Sequence, residues 1–339
     1  MAKIVIPLSS CVPGMITAEK VLNIQTGLLI LSSNQEITQQ YIDDLAKFPH
    51  SDIWVNLNSS NQIWPISDEV IRKYQIYTHA LETIITKPSP DMPIDVERFE
   101  EMSNFLGSDF KSNHELLGVS HIMGQLDTTT YTHSLNVAFL CITICRWLHT
   151  EEDVMVDVIK AALLHDIGIR DLPFDIYKGL DLLTSDEFAE YKCHSMYGYN
   201  AIKRISTLSP EICKAVLAHH EHYDGSGFPF AAALPATSTL TKILAIAEEY
   251  ELLRKKHHIF DVLETLLTTG LTQFDPQILL TFCTNIVNYF SGVYVTLSNG
   301  AVGEVVFIEP QCIYKPAIKI QGKILYLRKH PSIKIVSVY

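Results

Sequence analysis

Paired cysteines are missing from this sequence. Cys11, Cys141, Cys145, Cys193, Cys213, Cys283 and Cys312 are scattered and odd in number, and none forms a CxxC pair. A disulfide framework and a zinc ribbon are thereby excluded as organising devices, and reduced thiols fit a cytoplasmic chain. Long apolar runs are missing too: nothing approaches the roughly 18 residues a membrane span needs. The opening MAKIVIPLSSC has an apolar run too short for a signal peptide. Basic charge is scarce, with 26 Lys and Arg against 38 Asp and Glu and a net charge of −12. A nucleic-acid polymer needs a basic face, so that class of partner is set aside. A small phosphorylated ligand is not, because a few local cations or metals can hold one. Internal repeats and low-complexity runs are also lacking.

What is present is apolar material: 47% of residues are hydrophobic and 19% charged, enough for a sizeable core. Three textures follow one another. Residues 1–90 read as a small α/β module with a connecting helix: strand-like KIVIPL, a hairpin around Thr26-Gly27, a helix through Ile37, Tyr41, Ile42 and Leu45, and strand-like DIWVNL. KPSPDMP, 87–93, is the clearest linker. Residues 94–288 are helix after helix, including 130–148, 152–168 ending at Gly168, a helix capped by Ser185, and SPEICKAVLAHHEHY. Residues 290–339 are strands, with Asn299-Gly300 marking a hairpin. The fold class expected is mainly α, a helical bundle with an N-terminal α/β module and a short C-terminal β extension.

Within the helical region lie His133, His165 beside Asp166, His194, and His219 beside His220, while Glu248 sits inside the apolar ILAIAEEYELL. Imidazole and carboxylate both bind divalent first-row metals, and a carboxylate can bridge two of them. One such histidine alone is more often structural, hydrogen-bonded to a carbonyl. Several on successive helices favour a metal, because burying each without a partner is costly. His257-His258, in the basic RKKHH, reads as solvated surface, and Cys141 and Cys145, one turn apart on an apolar helix, read as core. Residues 171–188 are long enough to form a lid.

LLHDIG, the histidine of YKCHSMYG, HHEHYDGSGFP and ILAIAEEYELL stand in the order and spacing of the HD-GYP family, and over about residues 125–285 the chain resembles it. That family is a subgroup of the HD-domain metal-dependent phosphohydrolases and degrades the bacterial messenger cyclic di-GMP. The resemblance implies a helical HD domain in which His133, His165, Asp166 and Glu248 surround one metal. Asp166 would bridge to a second metal held by His194, His219 and His220. It further implies a bridging hydroxide for in-line attack on phosphorus, with Asp166 the catalytic carboxylate. The mixed N/O ligand set suits iron or manganese and admits zinc. Arg170 and Asp224 are the candidate substrate-binding residues, and signalling proteins are candidate partners.

The chain departs from the family at several positions. Glu248 stands where the family has Asp, Ile169 where it has a phosphate-contacting Lys, Phe228 where it has Tyr, and His222 where it has Arg. The RPYR loop is replaced by a nearly direct run from helix to helix. Thr129 occupies the place of a Glu that brings a third metal in some members, so two metals are expected. Metal ligands are kept while substrate-binding groups are thinned. Two functions are therefore carried forward: a phosphodiesterase of the cyclic dinucleotide class with weak or altered activity, and a metal-containing nucleotide or redox sensor that signals through partners.

Overall fold

The computed structural model describes residues 3–7, 16–22, 29–45, 52–56, 66–86, 94–124, 129–174, 176, 182–233 and 237–338. The linker at 87–93, the turn at Thr26-Gly27 and part of the lid segment lie outside them. Among the described residues helices dominate: α1 (Gln39–Leu45), α2 (Asp68–Thr86), α3 (Val96–Asp109), α4 (Asn113–Met123), α5 (Thr130–Leu148), α6 (Glu152–Leu164) and α7 (Ser185–Tyr191). They continue as α8 (His194–Ile202), α9 (Pro210–Ala218), α10 (Thr239–Arg254), α11 (Ile259–Thr268), α12 (Gly270–Gln273) and α13 (Pro276–Ile286). Among the described residues no helix is long and apolar enough to cross a membrane.

The chain divides into two compact units. One comprises residues 1–65, 258–261 and 286–339. It holds an antiparallel sheet of β1 (Lys3–Pro7), β5 (Asp52–Asn56) and β2 (Ile16–Thr17), and a ribbon of β3 (Val21–Leu22) and β4 (Leu29–Leu31). Val21, Leu31, Ile37, Leu45 and Ile53 form a small core here. A second sheet is ordered β10-β6-β7-β8-β9, built from β6 (Tyr294–Leu297), β7 (Val302–Phe307), β8 (Ala317–Ile320), β9 (Lys323–Tyr326) and β10 (Ile335–Val338). The β6–β7 hairpin turns at Gly300 with φ +81°, as Asn-Gly demands. His258 is not the solvated surface residue expected from its basic surroundings: its Nε2 contacts the Ile335 carbonyl at 2.9 Å, and it pairs with Asp261.

The other unit, residues 66–257 and 262–285, is all helical. α5 is its axle. Residues Thr132 through Cys145 are buried without a break, because a helix apolar on every side can only sit inside. α4, α6 and α10 pack on it, and α9 packs on α6, α8 and α10. Side-chain caps set most helix starts: Thr129 for α5, Ser209 with Pro210 behind it for α9, and Ser238 for α10.

Local chemistry corrects three sequence expectations. α7 is capped by Thr184, not Ser185, through a capping box in which Glu187 answers the Thr184 hydroxyl. α6 stops at Leu164, four residues before Gly168, and a 3-10 turn over Ile167–Asp171 follows. α9 stops at Ala218, so His219 and His220 follow the helix.

Candidate metal centre

The ends of α6, α8 and α9, the first turn of α5 and the middle of α10 meet at one buried point. His133, His165, Asp166, His194, His219, His220 and Glu248, all seven metal ligands expected from the sequence, are buried and converge there. Six of them form two clusters, His133–His165–Asp166 and His194–His219–His220, each with its ligand atoms within 4.8 Å of one another.

Helix ends explain how the imidazoles are aimed. The last carbonyls of a helix lack intrahelical donors. Ala162 at the end of α6 takes a hydrogen bond from His165 Nδ1 at 2.7 Å, and Val216 at the end of α9 takes one from His219 Nδ1 at 2.7 Å. Tyr191, the last residue of α7, takes one from His194 Nδ1 at 2.6 Å. A carbonyl only accepts, so in all three rings Nδ1 carries a proton and Nε2 is the nitrogen left facing the site.

Asp166 spans both clusters. Its Oδ2 lies 3.4 Å from His165 Nε2 and 3.6 Å from His133 Nε2, and its Oδ1 lies 3.3 Å from His194 Nε2 and 4.0 Å from His219 Nε2. Glu248 Oε2 reaches His133 at 3.0 Å and His165 at 3.2 Å. The additional methylene of Glu, relative to the Asp that the resemblance implies, does not keep the carboxylate from the cluster.

These residues suit divalent cations. His194 and His219 bring their Nε2 atoms to 3.2 Å although both protons are committed to carbonyls, so two lone pairs face each other. Only a shared proton or a cation relieves that arrangement. His165 Nε2, Asp166 Oδ1, His220 Nε2 and Glu248 Oε2 are buried without a hydrogen-bond partner, a cost that ligation removes. Charge partitions accordingly. Burial pulls the His165 pKa down, but Asp166 and Glu248 outweigh it and hold it well above the ordinary value. Burial pushes both carboxyls up, and the facing histidines bring Asp166 and Glu248 well below the carboxylate range. His220 falls to about 3, through burial first and then His194.

A cavity of about 240 Å³ opens beside Asp166, lined by Thr130, Tyr131, Ser134, Ile169 and Arg170 among others. The sequence suggests that Arg170, one residue past Ile169 at a helix end, points elsewhere. The 3-10 turn instead brings both to the same cavity. Asp224 is not gathered into the clusters: its carboxylate accepts the Ser226 amide at 2.9 Å and the Thr272 hydroxyl at 3.5 Å. His222 Nδ1 meets Ser226 Oγ at 2.8 Å, within the same loop. Thr129 serves as the α5 cap.

Sequence reasoning named Phe228 only for the Tyr it replaces and did not foresee how the site is braced. Phe228 stacks on His220 with centroids 4.3 Å apart and an interplanar angle of 29°. The buried Glu221 carboxylate accepts the amides of Phe230 and Ala232 at 2.7 and 2.8 Å, which fastens the loop. A Cβ on Gly227 would stand 2.2 Å from the His220 carbonyl oxygen, so no side chain fits there. The GSGFP string carried part of this signal.

Residues 119–277 match the HD domain family. Similar curated proteins include a cyclic di-GMP phosphodiesterase of Pseudomonas aeruginosa, 28% identical over 203 residues covering 57% of this chain and 48% of the relative. The cyclic di-GMP phosphodiesterase PdeB of Borreliella burgdorferi is 24% identical over 213 residues, covering 60% of this chain and 56% of its own. A 3'3'-cGAMP-specific phosphodiesterase of Vibrio cholerae is 26% identical over 143 residues, 41% of this chain and 33% of the relative. The chain thus spans about half the length, or less, of the curated relatives it matches. Among solved structures, an HDG"Y"P protein of Bdellovibrio bacteriovorus shares the fold with a TM-score of 0.55 at 15% identity, over 84% of this chain and 99% of that one. With seven buried His and carboxylate groups between its limits, the segment 119–277 matches the HD domain family, and the relatives it resembles are named as cyclic dinucleotide phosphodiesterases.

Proposed function

We propose that this chain hydrolyses a phosphodiester of the cyclic dinucleotide class with two divalent first-row metals, iron or manganese before zinc. The observation that carries the reading is Asp166 facing a histidine cluster with each carboxylate oxygen. His133, His165, Asp166 and Glu248 would hold one ion, and His194, His219, His220 and Asp166 the other. Two such ions supply Lewis acidity at phosphorus and an activated water at neutral pH.

The chain's own residues do the rest. Backbone carbonyls hold three imidazoles in the ligating tautomer, so little reorganisation accompanies binding. Arg170 offers a cation on the cavity wall beside Asp166, suited to a non-bridging phosphate oxygen. Tyr131 and the apolar wall offer a face for a base. Scattered, unpaired cysteines and a small intracellular messenger as substrate support a reaction in the cytoplasm.

Ile169 on the cavity wall favours a second reading, binding without turnover, because an alkyl group replaces the phosphate-binding cation implied by the resemblance. One assay separates the two. Metal-loaded full chain is incubated with cyclic di-GMP, cyclic GMP-AMP and bis(p-nitrophenyl) phosphate. Hydrolysis is expected, and Asp166→Asn is expected to abolish it with the helical circular dichroism intact. Calorimetric binding of either dinucleotide without turnover selects the sensor. Failure to retain metal overturns both.

A further inference from the structure

We propose that Lys255 is a resident cation that holds His133 in the non-ligating tautomer, so that the two ions of the centre bind with unequal affinity. The inference rests on the metal-centre reading above. His165, His194 and His219 each give the Nδ1 proton to a backbone carbonyl. His133 does not. Its Nδ1 faces Lys255 Nζ at 3.2 Å. An ammonium has protons and no lone pair, so here Nδ1 is the acceptor.

A neutral His133 ring then carries its proton on Nε2, the atom aimed at Glu248 Oε2 at 3.0 Å and Asp166 Oδ2 at 3.6 Å. Lys255 occupies His133 at Nδ1 while Nε2 faces the carboxylate of Glu248, so His133 offers that half of the centre no lone pair. For His133 to ligate, its proton must move to Nδ1 and Lys255 must withdraw. Withdrawal is open to it, because Lys255 is the exposed C-cap residue of α10 on a flexible stem. It nevertheless costs the hydrogen bond and leaves Nδ1–H to find another acceptor. The His194–His219–His220 half carries no such burden, since carbonyls set two of its three rings. That half fills first, and the His133 half is weakened by its own chain.

The test uses the metal-free full chain titrated with Mn(II), with free ion followed by electron paramagnetic resonance. The wild type is expected to bind one ion tightly and the second at least about tenfold more weakly, the scale on which outer partners of ligating histidines act. Lys255→Met is expected to tighten the weaker ion about tenfold. Lys255→Glu, whose carboxylate can accept the Nδ1 proton, should do at least as much. Nitrogen NMR of histidine-labelled, metal-free chain reads the tautomer directly, with His133 identified by the signal lost in His133→Gln. It should be Nε2–H in the wild type and Nδ1–H in Lys255→Glu. Two equally tight ions in the wild type, or a weaker ion unmoved in both Lys255 variants, overturns the role of Lys255 and leaves the metal centre standing. No ion bound by the wild type overturns the metal centre itself and this inference with it.

Discussion

Gly168 and His194 touch backbone to backbone: a Cβ on Gly168 would stand 2.0 Å from the His194 carbonyl oxygen and 2.4 Å from the Gly198 amide nitrogen. The turn that carries Asp166 and the helix that begins with His194 are pressed together at this point, so one carboxylate can face both clusters. Gly168→Ala must push them apart. The expected loss is about 3 kcal/mol of stability, the upper part of the usual range for overpacking. Bound metal should fall along with it. Thermal unfolding and elemental analysis check this, and an alanine variant with wild-type melting and metal content would show that the contact is dispensable.

Phe228 is expected to serve the site through its ring. The ring lies on His220 and meets His194 edge-on with centroids 6.3 Å apart. Phe228→Tyr keeps that face and should change stability by less than about 1 kcal/mol, with metal content unaltered. Phe228→Ala removes it and should cost about 2 kcal/mol, below the full core value because the ring is only half-buried. Equal effects from the two substitutions would assign the role to the hydroxyl position and not to the stack.

How much of this was legible in the sequence depends on the kind of signal. The clustered side chains were readable because six of the seven sit at or near helix ends, where spacing survives without coordinates, and the seventh, Glu248, is an acid inside an apolar helix. The long helix 130–148 was readable to the residue, since α5 is apolar throughout and its cap, Thr129, borders it. The end of α6 was not, because Gly168 looks like a helix stop while the chain leaves the helix at His165, whose ring satisfies the Ala162 carbonyl. Arg170 facing the same cavity as Ile169 was also hidden, since helical spacing does not hold in a 3-10 turn. Lys255 and His133 are 122 positions apart, and their hydrogen bond leaves no local trace.

His121 provides a pH dependence outside the metal centre. Burial, and secondly the Arg254 guanidinium, lower its pKa to about 4, with Glu251 opposing. The unfolded chain takes up this proton near pH 6.5 and the folded chain only near 4. Stability is therefore full above pH 6.5 and falls as the pH drops through that window, by up to about 1.4 kcal/mol per unit. His121→Gln should flatten that part of the acid limb in urea unfolding of the metal-free chain at pH 4.5, 5.5 and 6.5. Parallel limbs in the two proteins would remove His121 from the account.

Behind the centre, a buried polar chain links four helices. Tyr74 on α2 donates to Asn136 Oδ1 at 3.0 Å, and Asn136 on α5 donates to Glu251 Oε1 at 3.2 Å. Arg254 pairs with Glu251 on α10 and donates to the Ser120 carbonyl at 3.1 Å. Glu251 is buried almost completely, and Arg254 is the cation paired with it. Arg254→Met should leave that carboxylate without its cation and cost about 3–5 kcal/mol, the penalty of breaking a buried pair from one side. Adding Glu251→Leu removes the stranded charge, and the double variant should recover most of the loss despite carrying one more substitution. Chemical denaturation of the two single variants and the double variant yields the coupling directly. Additive losses would mean that the pair is screened and that α10 is held in place by its apolar contacts alone.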